Sequence, residues 1–180
     1  MDTSLENRAL LLPRALARRL EGWAIAALPA EACGLLVGEP CARGVLVRAV
    51  VTLTNAAPER CEDLFELDPL EHLAVEEAAA AAGVAVVGVW HSHPDSGAVP
   101  SAVDRSRAWE GWSYPIVGFA AHSGRRELRS WRVLAGVARE ETHHDAPLAP
   151  IALDLHPRFL EAAPAPADLA RHFLPAVPQR

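Results

Sequence analysis

The segment over residues 84–90 constrains the fold more than any other part of the chain. It reads Val-Ala-Val-Val-Gly-Val-Trp, with no polar side chain on either face of an extended strand. A strand of this kind is buried on both sides and therefore lies in the middle of a sheet that helices cover. The chain must then supply other strands beside it and helices against its two faces.

A helix is predicted directly before this strand. Asp68 can cap its first turn, and Pro69 stands at the first helical position, where its missing N–H costs nothing. Gly83 ends the helix after a run of alanines.

The remaining segments continue the interleaving of helices and strands. Leu16, Leu20 and Trp23 fall at helical spacing, which predicts an amphipathic helix over residues 14–28 that Pro29 closes. A short helix is expected over residues 101–109. Strands are predicted over residues 33–38, ending in a Glu-Pro turn, and over 45–54, 114–120 and 127–135, the last two joined by a Ser123-Gly124 turn. The order predicts an α/β (α+β) fold, a mixed β-sheet flanked by helices.

Length and proline content suggest one domain followed by a tail. The chain has 180 residues, which is enough to bury a core without disulfides or a structural metal. Seven of its 15 prolines lie in the last 35 residues, where only residues 166–174 could form a helical turn or two. We therefore expect a domain over residues 1–145 and a strapped or partly mobile Pro-rich tail over residues 146–180.

Charge and cysteine content exclude several classes of protein. The net charge is −6, with 17 arginines and no lysine, so nothing drives binding to nucleic acid or anionic membranes. Three cysteines (Cys33, Cys41 and Cys61) indicate a reducing compartment. The N-terminal residues do not read as a signal peptide, and the longest apolar run, residues 78–90, is too short to span a bilayer. A cytoplasmic protein is expected.

The segment from His91 to Asp104 carries the candidate chemistry. His91 and His93 are two residues apart at a strand end, so an extended backbone directs both imidazoles to one side. Asp104 stands in the first turn of the next helix, and the intervening loop can fold that turn back over the histidines. Two nitrogens and one carboxylate oxygen are the ligand set of a catalytic zinc, with a fourth position open for water.

Simpler interpretations exist for each residue taken alone. Single histidines at strand ends are usually ordinary hydrogen-bonded groups, and Ser101-x-x-Asp104 is also a common helix-start signature. Glu31 alone would be read as an exposed carboxylate between a helix and a strand. Cys33 would lie on the same strand face as Glu31, but a small buried hydrophobic residue is the better interpretation. The coincidence of these residues within a short segment favours a metal site.

Two motifs resemble those of a known family. His91-Ser92-His93-Pro94 followed by Pro100-Ser101-x-x-Asp104, with Glu31 upstream in Glu-x-x-Gly-Leu-Leu-x-Gly, is similar to the JAMM (MPN+, JAB1/Mov34) metalloproteases. The resemblance spans roughly residues 11–135 and matches compact prokaryotic members. It implies the JAB1/MPN fold, which is related to that of cytidine deaminases.

The resemblance also implies a role for each motif residue. His91, His93 and Asp104 would bind one Zn²⁺ per chain, Glu31 would act as general acid and base, and Ser101 would donate a hydrogen bond beside the metal. Zinc lowers the pKa of a water molecule to about 7, and a carboxylate beside that water can move its proton.

The implied substrate is a small ubiquitin-like or sulfur-carrier β-grasp protein. The expected reaction is hydrolysis of the amide bond after its C-terminal Gly-Gly, with removal of a ubiquitin-like modifier from conjugates as a close second. A zinc-containing scaffold that binds a β-grasp partner without turnover stays open, although Glu31 and Ser101 count against it. A nucleoside deaminase is disfavoured because the Pro-Cys-x-x-Cys ligand pair is absent.

Overall fold

The structure is a computed structural model and describes residues 9–57, 59–119, 126–149 and 151–160. The predicted Ser123-Gly124 turn and the helical turn expected over residues 166–174 lie outside these residues. The helices are α1 (Arg14–Ala27), α2 (Pro69–Ala81) and α3 (Ala102–Arg107), with a 3-10 turn at Pro157–Phe159. The strands are β1 (Ala9–Leu11), β2 (Cys33–Cys41), β3 (Gly44–Leu53), β4 (Ala85–His93), β5 (Ser113–Phe119), β6 (Arg126–Leu134), β7 (Val137–Glu141) and β8 (His143–His144).

The strands form one mixed sheet of eight in the order β7-β6-β5-β4-β2-β3-β1-β8. The predicted α/β fold is therefore confirmed. β4 lies in the middle of the sheet, antiparallel to β2 and parallel to β5, as its two apolar faces required. β7 and β8 lie at opposite edges although only Thr142 separates them in the chain, so the sheet curls until its edges meet.

Two hydrophobic cores lie on opposite faces of the sheet. Alternate residues of β2 enter different cores, Leu36 packing on the α1 side and Leu35 on the α2 side. The first core joins Leu16, Leu20 and Trp23 of α1 to the sheet, and Trp23 stacks on Trp90 with ring centroids 5.6 Å apart.

The helix boundaries follow the local signals in the sequence. Asp68 caps α2 by accepting hydrogen bonds from the backbone N–H groups of Leu70 and Glu71 at 2.9 and 3.0 Å. Gly83 follows with φ of 75°, in the left-handed region that glycine adopts readily. α3 ends at Arg107, two residues before the predicted end.

The expected Glu-Pro turn after residue 38 is wrong. β2 continues through Glu39 and Pro40 to Cys41. Its pairing with β4 ends at Gly38, so beyond that residue only β3 pairs with it. Proline lacks an N–H to donate and is tolerated where a strand has one free edge, which explains why Pro40 does not end the strand.

Part of the expected tail packs on the domain. Leu153 and Phe159 are buried in the α2-side core, and Arg158 forms an ion pair with Glu71 of α2 at 2.8 Å. Residues 151–160 thus lie against the α2 side of the sheet. No helix in the described parts of the chain is long and apolar enough to cross a membrane.

Replacing Phe159 with alanine tests this packing. Phe159→Ala should lower the free energy of unfolding by about 3 kcal/mol, because it leaves a cavity in the α2-side core. Urea denaturation would measure the change. Leu148→Ala is the matched control, since Leu148 is 44% exposed and its truncation should cost less than about 0.5 kcal/mol. Equal losses in the two variants would show that residues 151–160 do not pack on the core.

Candidate active site

The end of β4 places the two predicted histidines. His91 pairs with Cys33 of β2 and with Ile116 of β5, while His93 pairs with Gly118. The alternation of side chains along a strand directs both rings to one side, as the spacing predicted. His91 is 1% exposed and His93 is 6% exposed, so both rings are held inside the protein.

The start of α3 brings Asp104 to the histidines. Asp104 Oδ2 accepts a hydrogen bond from the Ser101 backbone N–H at 2.6 Å, and Ser101 Oγ accepts one from the Asp104 N–H at 3.1 Å. This reciprocal pair is a capping box. Asp104 Oδ2 also lies 3.5 Å from Nε2 of His91 and 3.5 Å from Nε2 of His93. The simple interpretation of Ser101 and Asp104 as helix-start residues is therefore correct, and it does not exclude a ligand role for Asp104.

Three potential ligand atoms converge on one point. The Nε2 atoms of His91 and His93 are 3.0 Å apart, and with a carboxylate oxygen of Asp104 all three atoms lie within 4.8 Å of one another. His93 Nδ1 lies 3.0 Å from the Gly97 carbonyl oxygen, which can only accept. That contact puts the proton of the neutral ring on Nδ1 and leaves the Nε2 lone pair facing the shared point.

The electrostatics of the three groups fit a cation. Burial lowers the pKa of His91. Burial opposes ionisation of Asp104 as well, but its contacts with the His91 and His93 rings hold the pKa of its carboxyl well below the usual range. Burial lowers the pKa of His93 too, but its contacts with Asp104 and with the Gly97 carbonyl outweigh burial and raise the pKa above the usual value. A carboxylate and two imidazole nitrogens that face one another need a proton or a metal ion between them. Two His nitrogens and one carboxylate oxygen suit zinc and related divalent metals.

Glu31 is a buried carboxyl just before β2. It is 6% exposed, and burial raises its pKa to about 8; repulsion from Asp104 also raises it, while His93 lowers it. The backbone around it is fixed, because its N–H donates to the Cys61 carbonyl at 2.5 Å and its own carbonyl accepts from Asn55 Nδ2 at 3.2 Å. A carboxyl in this environment can take up and release a proton near neutral pH.

Ser92 links the Glu31 segment to the histidine strand. Its hydroxyl oxygen accepts a hydrogen bond from the Ala32 N–H at 2.8 Å, and its own N–H donates to the Ala32 carbonyl at 2.9 Å. Ser92 lies between the two histidines and Ala32 follows Glu31. The serine of the His-Ser-His motif therefore holds the Glu31 backbone against the strand that bears the histidines.

The other candidates do not join this cluster. Cys33 is fully buried, its thiol lies 3.9 Å from the Leu53 carbonyl, and burial raises the thiol pKa to about 12. It is thus a core residue, as the sequence suggested. The scattered histidines His143, His144 and His156 lie outside the cluster, and His122 and His172 lie outside the described residues.

A cavity of about 430 Å³ opens directly beside the cluster, and the sequence did not predict it. His91 and Asp104 form part of its wall, and Phe65 stacks on His91 with ring centroids 4.5 Å apart. The other lining residues are mostly apolar: Leu64, Glu66, Leu67, Pro69, His72, Val89, Val103, Arg107, Ala108, Trp109 and Tyr114. Trp109 and Tyr114, which follow the site helix in the chain, contribute aromatic rings to this wall.

Comparison with known proteins assigns the family. The sequence model of the family described as prokaryotic homologs of the JAB domain matches residues 13–134. The chain belongs to this prokaryotic JAB family. The resemblance to JAMM (MPN+) proteins that the two motifs indicated is therefore confirmed, with the JAB/MPN fold.

The chain is similar in sequence to two kinds of protein whose names describe an activity. The chain is 42% identical over 104 residues to the desampylase of Haloferax volcanii. The matched region is 57% of this chain and 70% of that protein. It is 34% identical over 113 residues to the CysO-cysteine peptidase of Mycobacterium tuberculosis, covering 63% and 75% of the two chains.

Solved structures of similar proteins agree with the fold. A protein from Desulfitobacterium hafniense matches with a TM-score of 0.66 and 29% identity, over 81% of this chain and 95% of that one. A protein from Salinibacter ruber matches with a TM-score of 0.54 and 30% identity, over 82% and 99%.

Removing one charge from the cluster tests metal binding by this JAB domain. Asp104→Asn should lower Zn²⁺ affinity by about 100-fold or more, since even residues behind metal ligands contribute 10- to 100-fold. The helix cap should persist, because the asparagine carbonyl can still accept from Ser101. Calorimetric titration would measure affinity, with Asp95→Asn in the same loop as the control. An unchanged Zn²⁺ affinity in Asp104→Asn would show that Asp104 does not bind the metal. Unfolding of the wild-type protein in chelator would contradict the expectation that the core folds without a metal.

The raised pKa of Glu31 predicts a pH dependence of stability in the metal-free protein. Between pH 4.5 and 8 the folded state holds a proton that the unfolded state has lost, so stability falls as pH rises through this range. Glu31→Gln should remove this part of the decline. Urea denaturation of chelator-treated protein from pH 5 to 8 would show it, with exposed Glu62→Gln as control. Parallel curves for wild type and Glu31→Gln would rule out the raised pKa.

Proposed function

We propose that this protein is a zinc-dependent peptidase that hydrolyses the amide bond after the C-terminal Gly-Gly of a small ubiquitin-like or sulfur-carrier β-grasp protein. The observation that carries the proposal is the convergence of His91, His93 and Asp104 beside the buried carboxyl of Glu31. The relatives named desampylase and CysO-cysteine peptidase support a peptidase that acts on such small proteins.

His91, His93 and Asp104 would hold the metal through Nε2, Nε2 and a carboxylate oxygen. A zinc ion supplies Lewis acidity to a carbonyl oxygen and lowers the pKa of a water molecule to about 7. Gly97 keeps the His93 ring in the tautomer that offers Nε2, and Ser101 keeps the Asp104 carboxylate over the two rings through its backbone N–H.

Glu31 would carry the proton in both halves of the reaction. Its carboxylate accepts a proton from the attacking water while the carbonyl carbon gains its new C–O bond. The same carboxyl then donates that proton to the amide nitrogen as the C–N bond breaks, releasing a free amine and a carboxylic acid, which loses its remaining proton to solvent. Burial raises the pKa of Glu31 in the metal-free site, and the positive charge of a bound zinc ion would lower it again, so that the carboxyl could both accept and release a proton near neutral pH.

Ser101 is proposed to stabilise the oxygen of the substrate carbonyl. Its hydroxyl oxygen accepts from the Asp104 N–H, a contact that does not use the hydroxyl hydrogen. The hydroxyl also interacts with the Asp104 carboxylate and helps to lower its pKa. We propose that the hydroxyl hydrogen turns from this carboxylate to the substrate oxygen that becomes negative in the transition state. One such donor is worth about 3 kcal/mol in comparable sites.

Removal of a ubiquitin-like modifier from conjugates is the second candidate. It uses the same residues and the same Gly-Gly end, and the 42% identity to a protein named desampylase favours it. The two reactions differ in whether the leaving amine is a backbone nitrogen or a lysine side chain.

Two other classes fit the site less well. A scaffold without turnover has no need for a buried carboxyl of raised pKa at Glu31. A zinc deaminase would place cysteines among the ligands, whereas the cluster among the described residues contains two histidines and one aspartate. Cys33 is packed in the core and lies apart from this set.

A carrier protein extended past Gly-Gly tests the function. The zinc-loaded protein should trim the extension at the Gly-Gly end, as mass spectrometry would show. Glu31→Gln should retain zinc but lose at least about 100-fold in rate, in line with the 10²- to 10⁴-fold contribution of general acid–base catalysis. Exposed Glu62→Gln is the control and should trim normally. Absence of trimming and of deconjugation by zinc-loaded wild type would favour the scaffold.

A further inference from the structure

The cavity beside the cluster of His91, His93 and Asp104 has no role in the chemistry proposed above. It shares two wall residues, His91 and Asp104, with the cluster, so any substrate that reaches those groups passes its mouth. Its volume of about 430 Å³ lies in the range of pockets that bind small ligands or single side chains. The cavity is therefore continuous with the reaction site but larger than two glycines require.

The interior of the cavity selects for apolar groups. Phe65, Leu67, Val89, Val103 and Trp109 line it. Trp109 is 48% exposed and Val103 is 39% exposed, which leaves apolar surface open to an occupant. A charged side chain entering this space would lose its hydration, whereas an aliphatic or aromatic one would gain from burial.

The charged wall residues lie at the rim of the cavity. Glu66 and Arg107 form an ion pair of 3.0 Å, and both side chains are about half exposed. The pair connects the segment before α2 to the end of α3, the two walls of the cavity. It spans the rim and leaves the interior apolar.

The aromatic residues that line the cavity are held by contacts with one another and with the backbone. Trp109 packs edge-on against His72 of α2, with ring centroids 5.7 Å apart, and lies 4.9 Å from the ring of Trp112. The Tyr114 hydroxyl accepts a hydrogen bond from the Trp109 N–H at 2.6 Å. The position of Trp109 is thus fixed through its backbone and its neighbours, although its ring faces the opening.

The position of Glu31 indicates which part of a substrate lies here. Glu31 is the group proposed to protonate the leaving amine, and it is not among the residues that line the cavity. The leaving amine therefore lies toward Glu31, and the cavity lies on the acyl side, which holds the tail that ends in Gly-Gly. Two extended glycines span about 7 Å, so the cavity receives the residues that precede them.

We infer that this cavity is a specificity subsite for one bulky apolar side chain that precedes Gly-Gly in the substrate tail, with Trp109 and Phe65 as its main contacts. Side chains of successive residues in an extended tail point to opposite sides, so one of the two residues before Gly-Gly enters the cavity. This inference rests on the proposed function for its substrate, but it can be tested without turnover.

Synthetic peptides that end in Gly-Gly with a free carboxylate test the subsite by calorimetry on zinc-loaded protein. One series places Ala, Leu, Phe or Asp directly before Gly-Gly, and a second places the same residues one position earlier, with alanine elsewhere. In one of the series, Leu or Phe should bind at least about 10-fold more tightly than Ala, because single methylene groups in apolar pockets discriminate by 10- to 200-fold. Asp should bind no better than Ala.

Two cavity variants and one control test whether the preference for an apolar residue depends on this cavity. Trp109→Ala removes a wall and Ala108→Leu fills the space, and each should abolish the preference for Leu or Phe over Ala. Leu70→Ala is the matched control, because Leu70 is 78% exposed on α2 and does not line the cavity. It should keep the preference. Ala108 is partly packed in the α2-side core, so Trp109→Ala serves if Ala108→Leu does not fold.

The outcomes distinguish this inference from the proposed function. Peptide binding that depends on the apolar residue and on Trp109 supports the subsite, even if extended carrier proteins are not cleaved. Binding and cleavage that are both indifferent to the residue before Gly-Gly would overturn the subsite while leaving the peptidase intact. A preference for Leu or Phe that survives in Trp109→Ala would likewise overturn it.

Discussion

The hydrogen bond from the Trp90 indole N–H to the Val51 carbonyl, at 2.8 Å, fixes the centre of the sheet. It crosses β2 at Gly34, which pairs with Trp90 on one side and with Thr52 on the other. A Cβ at Gly34 would lie 2.0 Å from the Val51 oxygen and 2.6 Å from the indole nitrogen, so only glycine leaves room. The bond locks β4, β2 and β3 in one register. Since His91 follows Trp90, the position of the histidines across from the Glu31 segment depends on this crossing.

The loop between β4 and α3 positions Asp104 next to the two histidines of β4. The Ala98 N–H donates to the Glu127 side chain at 2.8 Å, and the Trp131 indole N–H donates to the Ala98 carbonyl at 2.8 Å. Gly118 of β5 lets this loop approach closely, because a Cβ there would lie 2.3 Å from the Ala98 nitrogen. The loop is thus held against β5 and β6, and α3 begins where Asp104 faces both imidazoles. A flexible connection would leave the third group free to move away from the first two.

The parts of the structure that were predictable from the sequence have local causes. The cap at Asp68, the end of α2 at Gly83 and the common direction of His91 and His93 all follow from a few neighbouring residues. β1 and β8 were missed because they have only three and two residues and pair with segments far away in the chain. β7 was missed, although it forms a hairpin with β6, because its polar sequence has no strand pattern. The cavity was missed because its walls come from three separate parts of the chain, residues 64–72, the end of β4 and residues 103–114.

Asp104 shows why local and functional interpretations of one residue need not compete. Its Oδ2 accepts from the Ser101 N–H and at the same time faces both Nε2 atoms. The cap restricts the carboxylate to one orientation before any metal arrives, so little conformational freedom remains to be lost on binding. A serine at the cap position also places a hydroxyl next to the point where the ligand atoms meet. The helix-start signature is therefore the means by which the chain orients its third ligand, and the two roles of Asp104 reinforce each other.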